Sequence, residues 1–326
     1  MFDQLTPPDW SCDKNGKLID SPHPSTGFDA SSHIIRPNLK GFNVGVRIIP
    51  RLDIKGPNLV KGIHLEGLRV LGKPERFAQH YYENGADELF YMDAVASLYS
   101  RNSLNDIIRR TAQEVSIPLT VGGGLRSVDD IREVLRAGAD KVAINTAAIA
   151  RPDLIREAAN KFGSSTIVVS IETIRQPDGS HMAYTDCGRN ETGLDAYEWA
   201  LRATELGAGE LIITSVDREG TGKGYDVELT RRISEAVSIP VIACGGAGCI
   251  DDVRSVIIEG KADAISVASC LHYDFLKSYK ALDENYTGEG NTEFLKKQRG
   301  FGKIHGFSLL SLKQHLYDSG VDCRWN

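Results

Sequence analysis

The sequence has few cysteines and no strong positive charge. Its 6 cysteines are scattered, without a CxxC pair or the density of a disulfide-stabilised fold, which favours a reducing compartment such as the cytoplasm. The formal net charge is −6, so there is no broad cationic surface for the phosphate backbone of a nucleic acid. The composition therefore argues against nucleic acid as a partner, while a local anion site remains open.

Long apolar runs and metal-ligand motifs are also missing. No run approaches the length of a bilayer span, and the N-terminus lacks the apolar segment of a secretory signal. The 8 histidines show no ligand spacing such as HExxH. We expect a soluble cytoplasmic protein with no membrane partner, no metal and no cofactor.

What the chain does contain is a regular alternation of strand-like and helix-like patterns. Residues 1–42 are rich in Pro, Ser, Asp and Gly and predict an irregular N-terminal extension. Within residues 43–326, eight β-branched runs, from VRIIPRLDI to DAISVAS, are separated by amphipathic helical patterns. A polar insertion at about 274–307 precedes a last helical pattern. The alternation predicts α/β architecture, either a closed (β/α)8 TIM barrel or an open doubly wound sheet.

An internal repeat favours the barrel. VSIPLTVGGGLRSVDDIR at 115–132 matches VSIPVIACGGAGCIDDVR at 237–254, an offset of 122 residues. GADEL at 85–89 matches GAGEL at 207–211 at the same offset. Two similar half-barrels fused head to tail explain both the repeat and the number of strands.

Two carboxylates are predicted to face each other across the mouth of this barrel. Asp53 ends the first strand and Glu172 ends the fifth, and the strand C-termini form the active face of such barrels. Such a pair can divide general-acid and general-base work, although solvated strand-end acids would give the same pattern. Lys61 follows in the first βα loop, where a mobile loop could bring a cation to a substrate; an ordinary surface lysine is the alternative.

Glycine-rich turns occupy equivalent places in the two halves and suggest phosphate binding. GGG at 122–124 and GGAG at 245–248 would let backbone N–H groups approach an oxyanion, although single turns of this kind are usually only tight turns. Duplication on opposite sides of one mouth predicts a small-molecule substrate with a phosphate at each end. The candidate phosphate-binding residues are Gly123, Gly124, Asn145, Thr146, Gly220, Gly245, Gly246, Ala268 and Ser269.

The opposite ends of four strands carry charges that could ring the barrel floor. They are Arg47, Glu88, Lys141 and Glu210. Residues on this face normally serve stability, and a self-neutralising ring fits that role. A functional role would need something to pass through the ring.

These residues together resemble one family, the cyclase subunit of imidazole glycerol phosphate synthase in histidine biosynthesis. The resemblance runs from about Val46 to Tyr273 and returns in SLKQHLYDSGVDCR. It is carried by LDIK, TVGGG, ADKVAINTAA, GAGELIITSVDREGT and CGGAG. A sister family, the phosphoribosyl isomerase of the preceding step, shares the half-barrels and phosphate sites, but only the cyclase uses the four floor positions, as an ammonia gate.

The resemblance implies a lyase that works as a heterodimer with a glutaminase (glutamine amidotransferase) subunit. Ammonia from that partner converts phosphoribulosyl formimino aminoimidazole carboxamide ribotide to imidazole glycerol phosphate and aminoimidazole carboxamide ribotide. Asp53 and Glu172 would be the acid/base pair and Lys61 the loop residue. The glycine-turn residues would hold the phosphates, and the floor residues would form the ammonia gate.

The sequence departs from the family at three positions. Glu172 and Glu219 stand where the family has aspartate, and Arg51 replaces a small residue. A repurposed relative that passes ammonia to a separate amidotransferase, for example in amidination of a surface sugar, is the alternative function. A non-catalytic docking subunit is a third, and the retention of Asp53 and Lys61 argues against it.

Arg51 is predicted to point into the barrel. Counting by two from Asp53 gives Arg51, Ile49 and Arg47, so all four share a face if the strand is regular. An unpaired buried charge is costly, so Arg51 needs a partner, which we expect to be Glu172 or another interior acid. A local bulge that turns Arg51 toward the helices is the alternative.

Overall fold

A computed structural model describes residues 45–96, 104–279 and 304–325. The predicted N-terminal extension, residues 1–42, lies outside these ranges, as does most of the insertion at about 274–307. Both therefore stay predictions. No helix in the described ranges is long and apolar enough to cross a bilayer.

The predicted closed barrel is confirmed. The strands of the described ranges are β1 (Arg47–Lys55), β2 (Asn58–Ile63), β3 (Glu66–Gly72), β4 (Leu89–Asp93), β5 (Leu119–Gly122), β6 (Lys141–Ile144), β7 (Ile167–Arg175), β8 (His181–Thr185), β9 (Asn190–Asp195), β10 (Glu210–Ser215), β11 (Val241–Cys244) and β12 (Ala264–Val267). Eight of them are parallel and follow the order β10-β11-β12-β1-β4-β5-β6-β7, and pairing between β7 and β10 closes the ring.

Helices cover the outside of the strands as the periodicity predicts. In the described ranges they are α1 (Pro74–Glu83), α2 (Asn105–Glu114), α3 (Val128–Ala137), α4 (Thr146–Ala150), α5 (Asp153–Phe162), α6 (Ala196–Glu205), α7 (Val227–Ala236), α8 (Ile250–Ile258), α9 (Ser269–Phe275) and α10 (Leu309–Asp318). The repeat recurs in the caps, because Ser127 and Asp130 form a capping box on α3 and Cys249 and Asp252 form its equivalent on α8. The short helices α4 and α9 are additions that periodicity did not predict.

Two β-hairpins extend the barrel where the sequence suggested loops. β2 and β3 pair antiparallel after β1, and β8 and β9 do so after β7. The first loop is thus a hairpin, turned at His64 and Leu65, whose φ angles are 54° and 61°. Each hairpin continues a strand that carries one of the two predicted catalytic acids.

The barrel has a separate inner core. Side chains inside the ring form a cluster distinct from the large core between sheet and helices. Because alternate residues of a strand face opposite sides, this inner cluster lies one step above the floor residues. Its members are Ile49, Phe90, Met92, Ala143, Val168, Ile212, Ile242, Cys244 and Ala264.

The C-terminal segment ties itself to the bottom of the barrel. The backbones of Val46 and Cys323 form an isolated parallel β-bridge beside the start of β1. The Lys313 ammonium on α10 is buried, 3.0 Å from a carboxylate oxygen of Asp87, whose other oxygen accepts the N–H of Ile48 at 2.7 Å. This ion pair therefore joins the last helix to the first strand.

Removing the Lys313 charge tests that link. Lys313→Met leaves the Asp87 carboxylate buried without its cation, so we expect the free energy of unfolding to fall by about 3–5 kcal/mol in urea titrations. Arg156→Met removes the exposed Arg156–Asp153 pair and should cost less than about 1 kcal/mol. Equal losses in the two variants would contradict a stabilising role for the buried pair.

Candidate active site

Asp53 lies at the mouth of the barrel between two cations. The residue is 3% exposed, with one carboxylate oxygen 2.8 Å from Nε of Arg51 and the other 3.6 Å from Nζ of Lys61. Burial alone would raise the Asp53 pKa, but the charges of Arg51 and Lys61 outweigh it and hold that pKa below its ordinary value. Asp53 is therefore an ionised carboxylate at neutral pH.

Lys61 reaches this carboxylate from a strand and not from an irregular loop. It lies in β2, is 1% exposed and forms its closest ion pair with Glu219. Burial disfavours its charge, but Glu219 and Asp53 raise the Lys61 pKa above its ordinary value. The N–H of His64 donates to the Glu219 carbonyl at 2.9 Å, so the hairpin holds Lys61 inside the site.

Glu172 has a different environment on β7. Its carboxylate accepts the N–H of Gly188 at 2.9 Å, from the turn between β8 and β9. Burial raises the Glu172 pKa to about 7, against the opposing effects of Arg51 and that N–H. The turn is unusual because Asp186 and Cys187 both have positive φ angles, 54° and 61°, which non-glycine residues rarely adopt.

The two acids are therefore driven toward opposite protonation states. The Asp53 pKa is lowered and the Glu172 pKa is raised, so near neutral pH one can accept a proton while a large fraction of the other can donate one. This separation is the usual physical basis for dividing base and acid roles between two carboxyl groups.

Arg51 faces the barrel interior, as counting by two predicts. It is 3% exposed, its Nη1 lies 3.4 Å from Sγ of Cys244, and its guanidinium lies 5.6 Å from the centre of the Phe90 ring. Its ion-pair partner is Asp53, two residues along the same strand, and not Glu172. The prediction that Arg51 pairs with an acid inside the barrel is thus correct, and the alternative, a bulge that turns Arg51 toward the helices, is wrong.

The first set of predicted phosphate residues surrounds an open cavity of about 300 Å³. Gly123, Gly124, Asn145 and Thr146 line it, and so does Glu172. At Gly123 the φ angle is +97°, and a Cβ would lie 2.5 Å from the carbonyl oxygen of Asp93 at the end of β4. Only glycine therefore fits this turn. Their role in binding phosphate stays a prediction.

The second set surrounds a much smaller space. Gly220, Gly245, Gly246, Ala268 and Ser269 line a cavity of about 10 Å³, which is about the size of one water molecule. A Cβ on Gly246 would lie 2.1 Å from the carbonyl oxygen of the 224 peptide, which shows how closely the backbones approach there. The enclosed space at this site is therefore far smaller than the cavity of the first set.

The four predicted floor residues form one closed ring of ion pairs. The Arg47 guanidinium lies 2.9 Å from Glu88 and 3.0 Å from Glu210, and the Lys141 ammonium lies 2.9 Å from Glu88 and 3.1 Å from Glu210. Burial disfavours the Arg47 charge, but the two glutamates raise the Arg47 pKa above its ordinary value. Each cation contacts both anions, so the four charges balance within the ring.

Sequence reasoning missed the turn that supports Glu172. Cys187 lines the first cavity, and Asn145 donates to the Tyr184 carbonyl at 3.1 Å, so the β8–β9 hairpin also holds that cavity's wall. The strained pair preceding Gly188 gives no periodic signal that could have revealed it. Across the described ranges, no three histidine, cysteine or acidic side chains are arranged to hold a metal ion.

Comparison with known proteins assigns the family. The family described as "Histidine biosynthesis protein" matches residues 47–277, which include the barrel, both hairpins and every residue of the predicted site. That is well over half of the chain. The chain belongs to this family.

Members named "Imidazole glycerol phosphate synthase subunit HisF" are similar over most of their length. One from Legionella pneumophila is 58% identical over 207 residues, covering 64% of this chain and 98% of the relative. One from Alkaliphilus metalliredigens is 46% identical over 228 residues, covering 70% and 90%. One from Streptomyces griseus is 49% identical over 236 residues, covering 72% and 94%. The histidine biosynthesis family predicted from sequence motifs is thus confirmed.

The raised pKa of Glu172 predicts a pH-dependent stability term. The folded carboxyl keeps its proton at pH values where the unfolded one, near 4.5, has lost it. Its contribution is therefore fully present below pH 4.5 and is lost as the pH rises through about 7. Glu172→Gln removes this loss. As the pH rises through that range, the free energy of unfolding of the variant should increase by on the order of 3 kcal/mol relative to that of the native chain.

Urea unfolding at a series of pH values measures this difference. Glu133→Gln changes an exposed helical glutamate and serves as the control. A difference between Glu172→Gln and the native chain that stays flat from pH 4 to pH 8, as in the control, would refute the raised pKa.

Proposed function

We propose that this chain is the cyclase subunit of imidazole glycerol phosphate synthase. With ammonia from a glutaminase subunit it would convert phosphoribulosyl formimino aminoimidazole carboxamide ribotide to imidazole glycerol phosphate and aminoimidazole carboxamide ribotide. One observation carries the proposal: two carboxyl groups lie buried at the mouth of one barrel, Asp53 beside the cations Arg51 and Lys61, and Glu172 against the N–H of Gly188. The names of the relatives favour this reaction over the ammonia-delivering alternative.

The chemistry needs an acid and a base in one enclosed place. When ammonia replaces a carbonyl oxygen, its nitrogen must lose protons and the oxygen must gain protons to leave as water. Asp53, held ionised, suits the base, and Glu172, with a pKa of about 7, suits the acid. The first cavity reaches Glu172 directly, so a substrate phosphate bound at its glycine turn would place the rest of the molecule near the acid.

Lys61 and Glu219 fit a supporting role. Their ion pair joins the β2–β3 hairpin to the loop after β10 and brings the ammonium to 3.6 Å from Asp53. A cation there stabilises the charged form of Asp53 and closes the site against water.

The ring of ion pairs on the floor supports a gate for ammonia. Arg47, Glu88, Lys141 and Glu210 separate the bottom surface from the apolar inner core, so a small uncharged molecule could enter only when one of their contacts opens. A glutaminase subunit docked on this face would deliver ammonia without releasing it to solvent.

The first test is turnover of the phosphoribulosyl formimino substrate with a concentrated ammonium salt near neutral pH replacing the glutaminase. We expect turnover by the native chain and a loss of roughly 100- to 10,000-fold in Asp53→Asn, because the amide cannot accept the proton. Asp106→Asn, at an exposed site on α2, is the control and should match the native chain. No turnover by the folded native chain would refute the proposed function.

The gate predicts a selective loss in Lys141→Met. This change leaves Glu88 and Glu210 with a single cation and disturbs the route through the floor, whereas dissolved ammonia can reach the mouth directly. We expect the ratio of glutamine-driven to ammonium-driven turnover, measured with the co-expressed glutaminase subunit, to fall about tenfold, or about 1.4 kcal/mol. An unchanged ratio, equal to that of exposed Lys161→Met, would contradict the gate.

A further inference from the structure

Arg51 is a buried charged group with no assigned role of its own in the proposed reaction. It lies on β1 between the apolar inner core below and the two acids above. Fixing a guanidinium inside a barrel costs desolvation energy, which the protein recovers only if the charge has well-placed partners. A functional role would explain why a charged residue occupies this position.

The geometry holds the guanidinium across the interior. Nε donates to Asp53 at 2.8 Å, and Nη1 donates to the Cys244 thiol at 3.4 Å on β11. The face of Phe90 on β4 lies 5.6 Å below the cation. Contacts from three strands thus fix both the position of Arg51 and the direction in which the Asp53 carboxylate points.

The charges around the two acids make Arg51 the cation common to both. Asp53 is faced by Arg51, by Lys61 on β2 and by His272 on α9, while Glu219 faces Lys61. Glu172 is faced by Arg51, Asp53, Asp186 and the N–H of Gly188, with Cys187 beside it. Burial lowers the His272 pKa to about 3 and raises the Cys187 pKa to about 12, so neither changes charge between pH 5 and pH 9.

We propose that Arg51 is a positioning residue that orients the Asp53 carboxylate and, as a cation facing both acids, sets the charge balance between Asp53 and Glu172. This inference rests on the proposed function for its catalytic meaning. The competing view is that Arg51 only fills space above Phe90. The two views differ in one measurable way, because a space-filling side chain does not determine the pH at which either acid titrates.

The test is the pH profile of kcat/KM for ammonium-driven turnover at constant free ammonia, which removes the ionisation of ammonia itself. Arg51 lowers the pKa of both acids, so Arg51→Met should move the acidic and the alkaline limbs to higher pH together. The measured quantity is kcat/KM at pH 9 divided by kcat/KM at pH 6. This ratio should rise about tenfold for each pH unit by which the alkaline limb moves to higher pH. Misplacement of Asp53 should lower kcat/KM at pH 7 on the order of 100-fold.

Two further variants separate charge from volume. Arg51→Lys keeps the cation and should restore both limbs near their native positions even where the rate stays low. Cys244→Ala removes the other contact of Arg51 but leaves the pair with Asp53, so its limbs should not move. A uniform loss of rate in Arg51→Met, with both limbs at native pH, would overturn the proposal.

A measurement without turnover keeps this inference distinct from the proposed function. Carboxyl titrations by carbon NMR, assigned with Asp53→Asn and Glu172→Gln, should both move to higher pH in Arg51→Met even if the native chain lacks the proposed activity. If Arg51→Met does not fold, Arg51→Met/Asp53→Asn removes the pair together and leaves no unpaired carboxylate. In this double variant the Glu172 carboxyl should titrate at a higher pH than it does in Asp53→Asn alone. Equal titration midpoints in the two variants would overturn the proposal.

Discussion

The interior of the barrel is organised by the cost of burying a charge without a partner. Arg51, Asp53, Lys61 and Glu219 form a chain of alternating sign in which each charge contacts the next. Glu172 lies outside this chain, and in the described part of the protein its direct hydrogen-bond donor is the backbone N–H of Gly188. Because Arg51 and Lys61 are paired with other acids, Glu172 lowers the free-energy cost of its burial by holding a proton.

The difference between the two acids is a break in an otherwise repeated structure. The half-barrels share glycine turns, capping boxes and a hairpin after the acid-bearing strand. Two residues before the acid, however, β1 carries Arg51 whereas β7 carries Ser170. Asp53 also has Lys61 near it, whereas Glu172 accepts the N–H of Gly188. These unequal environments shift the pKa values of two similarly placed carboxyl groups in opposite directions.

Much of this arrangement could be predicted from sequence because it depends on periodicity. Alternation and the internal repeat predict the closed barrel, and counting by two places Arg51 inside it. The partner of Arg51 could not be chosen in this way, since Asp53 and Glu172 both face the interior and only the reach of the side chain selects between them. The hairpins were missed because their short strands lie within segments that glycines and polar residues mark as loops. The support that Gly188 gives to Glu172 depends on a turn with no repeating pattern.

The unequal cavities of the two halves would affect how the proposed substrate, with an anionic group at each end, is captured. One end would enter the open space of about 300 Å³, while the other would meet an enclosed space of about 10 Å³. Once the first end is bound, the second is tethered close by, at an effective concentration that reaches the millimolar range for short links. The distance between the two anionic groups of a ligand, and not the affinity of either one, would determine which molecules are retained.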